Sequence, residues 1–279
     1  MFIDTHAHLT DLRLDAKQIL ADMDKDKLSR IVTVGFDYKT SLGALKIAKS
    51  DSRVFSSVGI HPSDAKSFLD KTMDEFLALS KEEKVVAVGE IGLDYHYPDF
   101  DKDTQIKVFI RQLELAQAAQ LPVIIHMRDA DEDTLKILTQ HKDKISNGGV
   151  MHCYSGSFES SKRYIDLGLH LSFTGALTFR NAKHAPEVVS KAPIDRLVIE
   201  TDCPYLAPEP FRGKTNYPKY LVLVAEKMAE IRGISVEEIG RVTSDNAFKL
   251  FPKIKDIIPQ GRALHPPPCG GVSPQRGGV

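Results

Sequence analysis

Short runs of apolar and β-branched residues recur along the chain, and each is bounded by polar or turn-forming residues. Runs of this length and composition are typical of strands that are buried on both faces of a parallel sheet. We predict strands at 2–3, 31–34, 54–58, 85–88, 123–125, 149–151, 169–173 and 197–199. Eight is the number of strands in a closed α/β barrel.

Between these runs lie longer segments in which apolar residues recur with the period of a helix. The clearest spans 103–120, where Ile106, Phe109 and Leu113 fall on one face and Asp103 lies at the start as a capping residue. Further helices are predicted at 15–24, 39–49, 72–80, 131–141, 158–167 and 217–232. Strand and helix therefore alternate, which predicts an α/β fold with a parallel sheet.

An open doubly wound sheet and a closed barrel both show this alternation. No strand is followed by Gly-x-Gly-x-x-Gly or by a P-loop pattern, the usual signs of a nucleotide-binding open sheet. We therefore predict one (β/α)8 TIM barrel domain over 1–251. Pro and Gly dominate the residues that follow, so we predict that 252–279 is a disordered tail, and we assign no chemistry to His265 or Cys269 within it.

Composition and charge narrow the function only slightly. The chain has 279 residues, 42% of them hydrophobic, which is enough apolar material for a core. Lys and Arg number 37 against 38 Asp and Glu, so no global positive field attracts a polyanion and any nucleic-acid contact is local. The three cysteines form no Cys-x-x-Cys pair, and no membrane span is evident. These features predict a cytoplasmic protein.

Candidate chemistry collects at the carboxyl ends of the predicted strands, where barrel active sites are built. The residues are His6 and His8 after the first strand, His61 after the third, Glu90 after the fourth, His126 after the fifth, His152 after the sixth and Asp202 after the eighth. A single histidine after a strand is usually structural, but so many at one rim point to a metal site. Because His6 and His8 are two residues apart in an extended segment, both imidazoles reach one ion.

Four histidines and two carboxylates are too many ligands for one tetrahedral ion, and they suit a pair of ions. The predicted metal ligands are His6, His8, Glu90, His126, His152 and Asp202. We expect Glu90 to bridge the two ions and Asp202 to take the proton from the attacking water, which makes both catalytic. An imidazole-rich shell favours Zn, Mn, Co or Ni, and phosphate oxygens of a substrate would help Mg to compete.

On the substrate side of this site we place His61, Arg128 and Glu200. Arg128 follows the ligand His126 by two residues and is a candidate phosphate clamp, whereas Glu200 is placed to orient a ligand or a water. The loop residues Arg212 and Lys214 are weaker candidates for phosphate contact. We interpret Cys153, Cys203 and His96 as structural residues without a catalytic role.

With these residues in view, the sequence resembles the TatD family of metal-dependent hydrolases over 2–251. The motifs that carry the resemblance are FIDTHAHL, VGIHPSDA, VGEIGLDYH, PVIIHMRDADED, HCYSGS, SFTGALTFRNA, LVIETDCPYLAP, RGKTNYP and TSDNAFKLF. The resemblance implies the same six metal ligands and a deoxyribonuclease activity, including 3′-to-5′ exonuclease. It also places the chain with those members that keep the first His-x-His pair. One departure is Tyr217, at a position where members commonly carry an acidic residue.

Three functional hypotheses remain open at the level of the sequence. The first is a nuclease that cleaves DNA phosphodiesters from a 3′ end with metal-activated water, acting on single strands or ends because no basic helix suits tight duplex binding. The second is hydrolysis of another ester or acyl bond, such as deacylation of D-aminoacyl-tRNA. The third is a binding or scaffold protein without catalysis, which the complete ligand set argues against, because imidazoles and carboxylates crowded together without metal are costly.

Overall fold

A computed structural model of the chain describes residues 1–255, in which eight strands form one parallel sheet. The strands are β1 (Phe2–Ala7), β2 (Leu28–Thr33), β3 (Val54–Val58), β4 (Val85–Asp94), β5 (Val123–Arg128), β6 (Gly149–Met151), β7 (His170–Phe173) and β8 (Leu197–Ile199). Each pairs with the next in chain order. The predicted strand number and the (β/α)8 architecture are thereby confirmed.

Helices follow the strands and cover the outside of the sheet. They are α1 (Ala16–Asp22), α2 (Tyr38–Ser50), α3 (Asp70–Leu79), α4 (Lys102–Ala119), α5 (Asp131–Gln140), α6 (Phe158–Asp166), α7 (Ala185–Lys191), α8 (Leu221–Arg232) and α9 (Val236–Leu250). Short 3-10 turns, such as Pro62–Ser67 after β3 and Gly175–Thr178 after β7, connect several of them. Within 1–255, no helix has the length and apolar character needed to cross a bilayer.

Two of these helices, α7 and α9, were not predicted from the apolar pattern. Helix α9 is inconspicuous because its buried face carries Thr243 and Asn246 in place of large apolar side chains. The Asn246 amide donates hydrogen bonds to the carbonyl oxygens of Ile194 and Leu197, at 2.9 and 2.8 Å, so the polar group is satisfied where it is buried. Buried polar residues therefore interrupt the apolar period that Ile239, Ala247 and Leu250 provide on the same face.

The ring of strands closes through the segment that follows β8. The backbone N–H of Asp202 donates to the carbonyl of His6 at 2.9 Å, and that of His8 donates to the carbonyl of Cys203 at 2.8 Å. Ala7 and Cys203 form an isolated parallel bridge between these bonds. The same hydrogen bonds that close the barrel therefore bring the end of the first strand to the residues after the last one.

One apolar cluster fills the barrel interior at the end opposite these residues. It contains residues from seven strands: Ile3, Val32, Phe55, Val86, Ala87, Ile124, Val150 and Val198. Leu250, Phe251 and Ile254, which follow from the end of α9, belong to the same cluster and are buried. Helix α9 and the turn after it therefore cover one end of the barrel, which leaves the carboxyl ends of the strands for a site.

The last residues of the described chain correct the predicted boundary of the tail. Residues Pro252–Lys255 form a short 3-10 helix, and the ammonium group of Lys253 donates to the carbonyls of Ser80 and Val85 at 3.2 and 2.9 Å. The prediction of disorder from 252 onward is wrong for these four residues, because Ile254 is buried under the barrel. The rest of the predicted tail, with His265 and Cys269, lies outside the described residues.

Strands β4 and β5 approach each other closely at Gly92, whose φ is +142°. A Cβ atom there would overlap the backbone carbonyl of His126, which a side-chain movement cannot relieve. We expect Gly92→Ala to lower the free energy of unfolding by about 3 kcal/mol, the combined effect of backbone strain and overlap. Denaturant unfolding of the purified variant measures this loss.

Gly148→Ala is the matched control. Gly148 also has a positive φ, of +79°, but a Cβ atom there would meet nothing within 4 Å. We expect this variant to lose only about 1 kcal/mol, the cost of the left-handed conformation. Equal losses for the two variants would contradict the close approach of β4 to β5.

Candidate metal centre

The six residues predicted as metal ligands lie together at the carboxyl-terminal edge of the barrel. They come from β1 and the residues after it (His6, His8), from β4 (Glu90), from β5 (His126), and from the segments after β6 (His152) and β8 (Asp202). All except the half-buried His126 are buried. Together with His61 they form three overlapping groups of three, and within each group the ligand atoms lie within 4.8 Å of one another: His6, His152 and Asp202; His6, His8 and Glu90; and His61, Glu90 and His126.

Backbone irregularities accompany two of these residues. The register of β1 against β2 shifts between Asp4 and Ala7, around His6, and that of β4 against β5 shifts between Val88 and Ile91, around Glu90. Shifts of this kind change the direction of side chains and are common beside active sites.

The carboxylate of Glu90 divides the cluster into two groups. Its Oε2 atom lies 3.4 Å from Nε2 of His6 and 3.7 Å from Nε2 of His8. Its Oε1 atom lies 2.9 Å from Nδ1 of His126 and 3.7 Å from Nε2 of His152. Oε2 therefore faces one pair of histidines and Oε1 another, with Nε2 of His61 also 3.7 Å from Oε1. A carboxylate whose oxygens face two groups of nitrogens can bridge two cations.

The spacing within the first group suits a shared ion. The Nε2 atoms of His6 and His8 lie 3.2 Å apart. Two nitrogen ligands bound about 2.1 Å from one tetrahedral ion lie about 3.4 Å from each other. The Nδ1 atom of His8 lies 3.3 Å from the carbonyl oxygen of Val34, which only accepts, so Nδ1 carries the proton and Nε2 is left for a cation.

In the second group, buried carboxylates hold the rings of His152 and His126 from behind. Nδ1 of His152 lies 2.7 Å from Oε1 of Glu200, and Nε2 of His126 lies 3.1 Å from Oδ2 of Asp94. These contacts leave Nε2 of His152 and Nδ1 of His126 facing Glu90. A carboxylate behind a ligating imidazole orients the ring and increases its basicity.

His61 also faces Glu90, with Nε2 at 3.7 Å from Oε1, but here the nitrogen that faces the carboxylate carries the proton. The backbone N–H of Ser63 donates to Nδ1 of His61 at 3.1 Å, so Nδ1 has no proton. Burial lowers the pKa of His61 to about 4, and the neutral ring then carries its proton on Nε2. His61 therefore presents an N–H donor to the cluster, which suits a substrate oxygen better than a metal ion.

The remaining ligand, Asp202, faces the first group. Its Oδ1 atom lies 3.3 Å from Nε2 of His8 and 3.8 Å from Nε2 of His6. Burial alone would raise the pKa values of Asp202 and Glu90, but the histidines around them lower both below the usual range. Both carboxylates are therefore ionised at neutral pH and available to a cation.

Three of the four ligand histidines have pKa values shifted in the opposite sense, whereas burial lowers the pKa of His6. Burial would lower the pKa values of His8, His126 and His152, but the neighbouring carboxylates raise them, that of His152 to about 10. Protons and cations therefore compete for the same nitrogens, as in metal sites generally. Imidazole nitrogens and ionised carboxylates converging on one buried space make a donor set that fits divalent cations.

A family model described as TatD related DNase matches residues 3–252. The chain belongs to the TatD family. The metal-dependent hydrolase YabD of Bacillus subtilis is 44% identical over 253 residues, 90% of this chain and 99% of the relative. YcfH of Escherichia coli, with the same description, is 38% identical over 255 residues, 89% of this chain and 95% of the relative. Both relatives are described as uncharacterized.

Solved structures agree with this assignment. The crystal structure of YjjV, a TatD homologue of Escherichia coli K12, superposes with a TM-score of 0.86 at 28% identity and covers 90% of this chain and 98% of its own. A TatD family hydrolase of Entamoeba histolytica superposes with a TM-score of 0.80 at 25% identity, covering 90% and 97%. Together with the histidine–carboxylate cluster, these matches make the chain a metal-dependent hydrolase of the TatD family.

The other residues predicted for this TatD site lie around the cluster. Arg128 is exposed at the rim, with its guanidinium 5.7 Å from the ring centre of Tyr97. Glu200, which we had placed on the substrate side, is fully buried behind His152. Its position is therefore the one that orients a ligand, and it has no surface to offer a substrate.

The residues that we interpreted as structural lie outside the ligand clusters. His96 is exposed and pairs with Asp129, 2.8 Å away. Cys153 and Cys203 are free thiols, and neither belongs to a metal-binding cluster within the described residues.

Sequence reasoning missed two aspartates that support the ligands. One is Asp94 behind His126, and the other is the buried Asp4, whose carboxylate accepts the N–H of Thr201 at 2.9 Å and its hydroxyl at 2.6 Å. Burial raises the pKa of Asp4 to about 7, although the bonds from Thr201 lower it. Asp4 thereby ties β1 to the segment that carries Asp202. Asp4 lies two residues before His6, and Asp94 lies four residues after Glu90. This closeness to predicted ligands was the sequence signal that could have identified both aspartates.

Glu200 provides a test of the support behind the ligands. We expect Glu200→Gln to weaken metal binding by about tenfold, because the amide keeps the shape but loses the charge that orients His152 and increases its basicity. Calorimetric titration of metal-free protein with Mn²⁺ measures the change. Glu209→Gln is the matched control, since Glu209 lies on the loop after β8 and belongs to none of the metal-binding groups within residues 1–255. Unchanged affinity in Glu200→Gln would contradict the orienting role.

Proposed function

We propose that this TatD-family hydrolase is a deoxyribonuclease that removes nucleotides from the 3′ end of single-stranded DNA with two divalent cations bound. The observation that carries the proposal is the position of Glu90, whose two carboxylate oxygens face two separate pairs of histidines. Paired cations about 3.5–4 Å apart are a recurrent device of enzymes that cleave phosphodiesters.

The residues divide between the two cations. His6, His8 and Asp202 would hold the first, His126 and His152 would hold the second, and Glu90 would contribute to both. Cations bound there supply Lewis acidity to the phosphate oxygens and lower the pKa of the attacking water. The imidazole-rich donor set suits Mn, Zn, Co or Ni, and substrate phosphate oxygens would add the hard ligands that Mg prefers.

Asp202 is the candidate general base of the reaction. Its carboxylate is ionised, because the surrounding histidines lower its pKa against the effect of burial. It lies beside the first histidine pair, with Oδ1 3.3 Å from Nε2 of His8. A proton released by the attacking water therefore has an acceptor within the site.

His61 and Arg128 are the candidate substrate contacts. The neutral His61 presents its Nε2–H beside Glu90, where it would donate to a phosphate oxygen. Arg128 is exposed at the end of β5, the strand that carries His126, and makes no ion pair within residues 1–255. Its guanidinium is therefore available to a phosphate.

Aromatic side chains at the rim favour an unpaired strand over a duplex. Tyr97 lies under Arg128, and Tyr205, which is 46% exposed, lies under the guanidinium of Arg13 at 4.6 Å. Aromatic rings and arginine planes stack on unpaired bases without regard to sequence. A formal net charge of -1 leaves little electrostatic attraction for a long duplex.

DNA as the partner and the cytoplasm as the location remain predictions. The location rests on the use of cysteine, and Cys153 and Cys203 are free thiols in the described chain. The partner rests on the chemistry of the site and on the family.

A nuclease assay tests the proposal directly. We expect metal-loaded protein to shorten a single-stranded oligonucleotide labelled at its 5′ end, with Mg²⁺ or Mn²⁺, in steps from the 3′ end. Glu90→Gln should lower the rate by at least about a hundredfold, because one neutral amide cannot bridge two cations. Glu209→Gln, an isosteric change away from the ligands, should keep the parental rate. If metal-loaded parent leaves the oligonucleotide intact, the nuclease proposal fails and another ester, such as an aminoacyl ester on tRNA, becomes the substrate to test.

The number of bound ions is a separate prediction. We expect two equivalents of Mn²⁺ or Zn²⁺ per chain by elemental analysis after dialysis, and one equivalent in His126→Ala, which removes a ligand of the second cation only. His141→Ala, at the end of α5 and outside the clusters, should keep two. One equivalent in the parent would contradict the bridging role of Glu90.

A further inference from the structure

Beside the metal centre lies a cavity of about 300 Å³ that none of the roles above uses. Its walls come from the segments that follow β6 and β7 and from the start of α7, and they include Tyr154, Leu177, Phe179 and Asn181. We call it the β7 cavity. Its volume is at the lower end of the range for small-molecule sites, so it accommodates one group of about nucleoside size.

The β7 cavity is joined to the ligand shell by direct contacts. Cys153, one of its wall residues, donates its backbone N–H to Oε1 of Glu200 at 2.8 Å. The same oxygen lies 2.7 Å from Nδ1 of His152. Thr174, another wall residue, lies 3.5 Å from the Cys153 sulfur through its hydroxyl. A group bound in the β7 cavity therefore lies next to the metal ligands, where the phosphodiester to be cleaved would be bound.

The side chains of the β7 cavity suit a flat aromatic group. Leu177 and Phe179 line it with apolar surface, and the guanidinium of Arg212 lies 4.3 Å from the ring centre of Phe179. Asn181 is exposed at its edge, where an amide both donates and accepts. A nucleobase combines a π-face with polar edges and matches this lining.

A second cavity, of about 280 Å³, flanks the cluster on the side of His126. We call it the β4 cavity; its walls include Asp94, Asp99, Asp101, Tyr97 and Lys66. Oδ2 of Asp94 lies 3.1 Å from Nε2 of His126. The β4 cavity adjoins His126 and the β7 cavity adjoins His152, and both histidines face Oε1 of Glu90, so the two cavities flank this carboxylate.

The two cavities differ in charge. Arg180, Lys183 and Arg212 lie in or beside the β7 cavity, are exposed, and form no ion pair within residues 1–255. The nearby acidic Glu187 is paired with Lys191.

The β4 cavity instead has three aspartates against Lys66, which lies 4.0 Å from Asp101. Arg128 lies over Tyr97 at the edge of the β4 cavity, and the larger group of unpaired cations for further phosphates of a strand lies beside the β7 cavity.

We infer that the β7 cavity binds the base of the nucleotide on the 5′ side of the scissile phosphodiester, and that the 3′-terminal nucleoside occupies the β4 cavity. The inference rests on the proposed nuclease function and assigns the direction in which the DNA strand crosses the metal centre. Water forms a new bond to phosphorus, the bond from phosphorus to O3′ breaks, and O3′ takes a proton. The shortened strand then leaves the β7 cavity with a 3′ hydroxyl, and the released nucleotide keeps its 5′ phosphate.

Abasic oligonucleotides test the assignment of the β7 cavity. Phe179→Leu keeps an apolar side chain but removes the π-face, and we expect it to lower kcat/KM about tenfold on an intact single strand. On a strand whose penultimate nucleotide is abasic, the variant and the parent should be equally slow, because there is no base to stack. On a strand whose terminal nucleotide is abasic, the tenfold difference should remain.

Phe211→Leu is the matched control. Phe211 lies on the loop after β8 and stacks on Tyr220, with ring centres 4.4 Å apart, and it does not line the β7 cavity. We expect this variant to follow the parent on all three substrates. A tenfold loss by Phe179→Leu on the penultimate-abasic strand as well would overturn the base-binding role, and a loss that disappears only on the terminal-abasic strand would overturn the direction.

A binding measurement separates this inference from the nuclease proposal. We would place 2-aminopurine at the penultimate position of a strand with a phosphorothioate at the scissile linkage, and add metal-loaded protein. Stacking should quench its fluorescence with the parent and with Phe211→Leu, but at least twofold less with Phe179→Leu. Lack of quenching by the parent would overturn the base site. Lack of cleavage of the ordinary strand, with quenching intact, would overturn the nuclease function alone.

Discussion

The chemistry of this protein depends on one buried carboxylate. Glu90 lies inside the rim of the barrel, and a charge in that position is unfavourable unless positive or polar groups compensate for the lost water. Four imidazoles meet its two oxygens at distances between 2.9 and 3.7 Å, and a fifth, His61, offers it an N–H. The surrounding structure arranges these rings so that cations can share the carboxylate.

Closure of the barrel is what makes the arrangement possible. Strand β8 is short, and the ring is completed by backbone bonds that join His6 and His8 to Asp202 and Cys203. The first and the last ligand segments, almost 200 residues apart in the chain, are therefore adjacent through hydrogen bonds of the sheet itself. Asp4 adds a second tie by accepting both donors of Thr201. Stability of the fold and geometry of the site thus rest on the same contacts.

A layer of carboxylates behind the histidines refines this geometry. Glu200 and Asp94 hold His152 and His126 from outside, and the carbonyl of Val34 does the same for His8. His61 differs, because the backbone N–H of Ser63 donates to its Nδ1 atom and leaves the proton on Nε2. Identical side chains therefore differ in function according to the group behind them: three rings present a nitrogen to a cation, and one presents a proton to a substrate.

The sequence by itself determined the eight strands, the alternation with helices and the six candidate ligands, because apolar period and strand-end position are local properties of the chain. It could not show that Glu200 is buried behind His152 or that Asp94 supports His126. Nor could it show that α9, anchored by Asn246, covers the end of the barrel opposite the metal ligands. Those facts depend on which segments meet across the barrel. The tertiary structure alone decided which nitrogens of His8, His126 and His152 face Glu90 and where the two cavities lie beside it, because these features arise from contacts between residues that are distant along the chain.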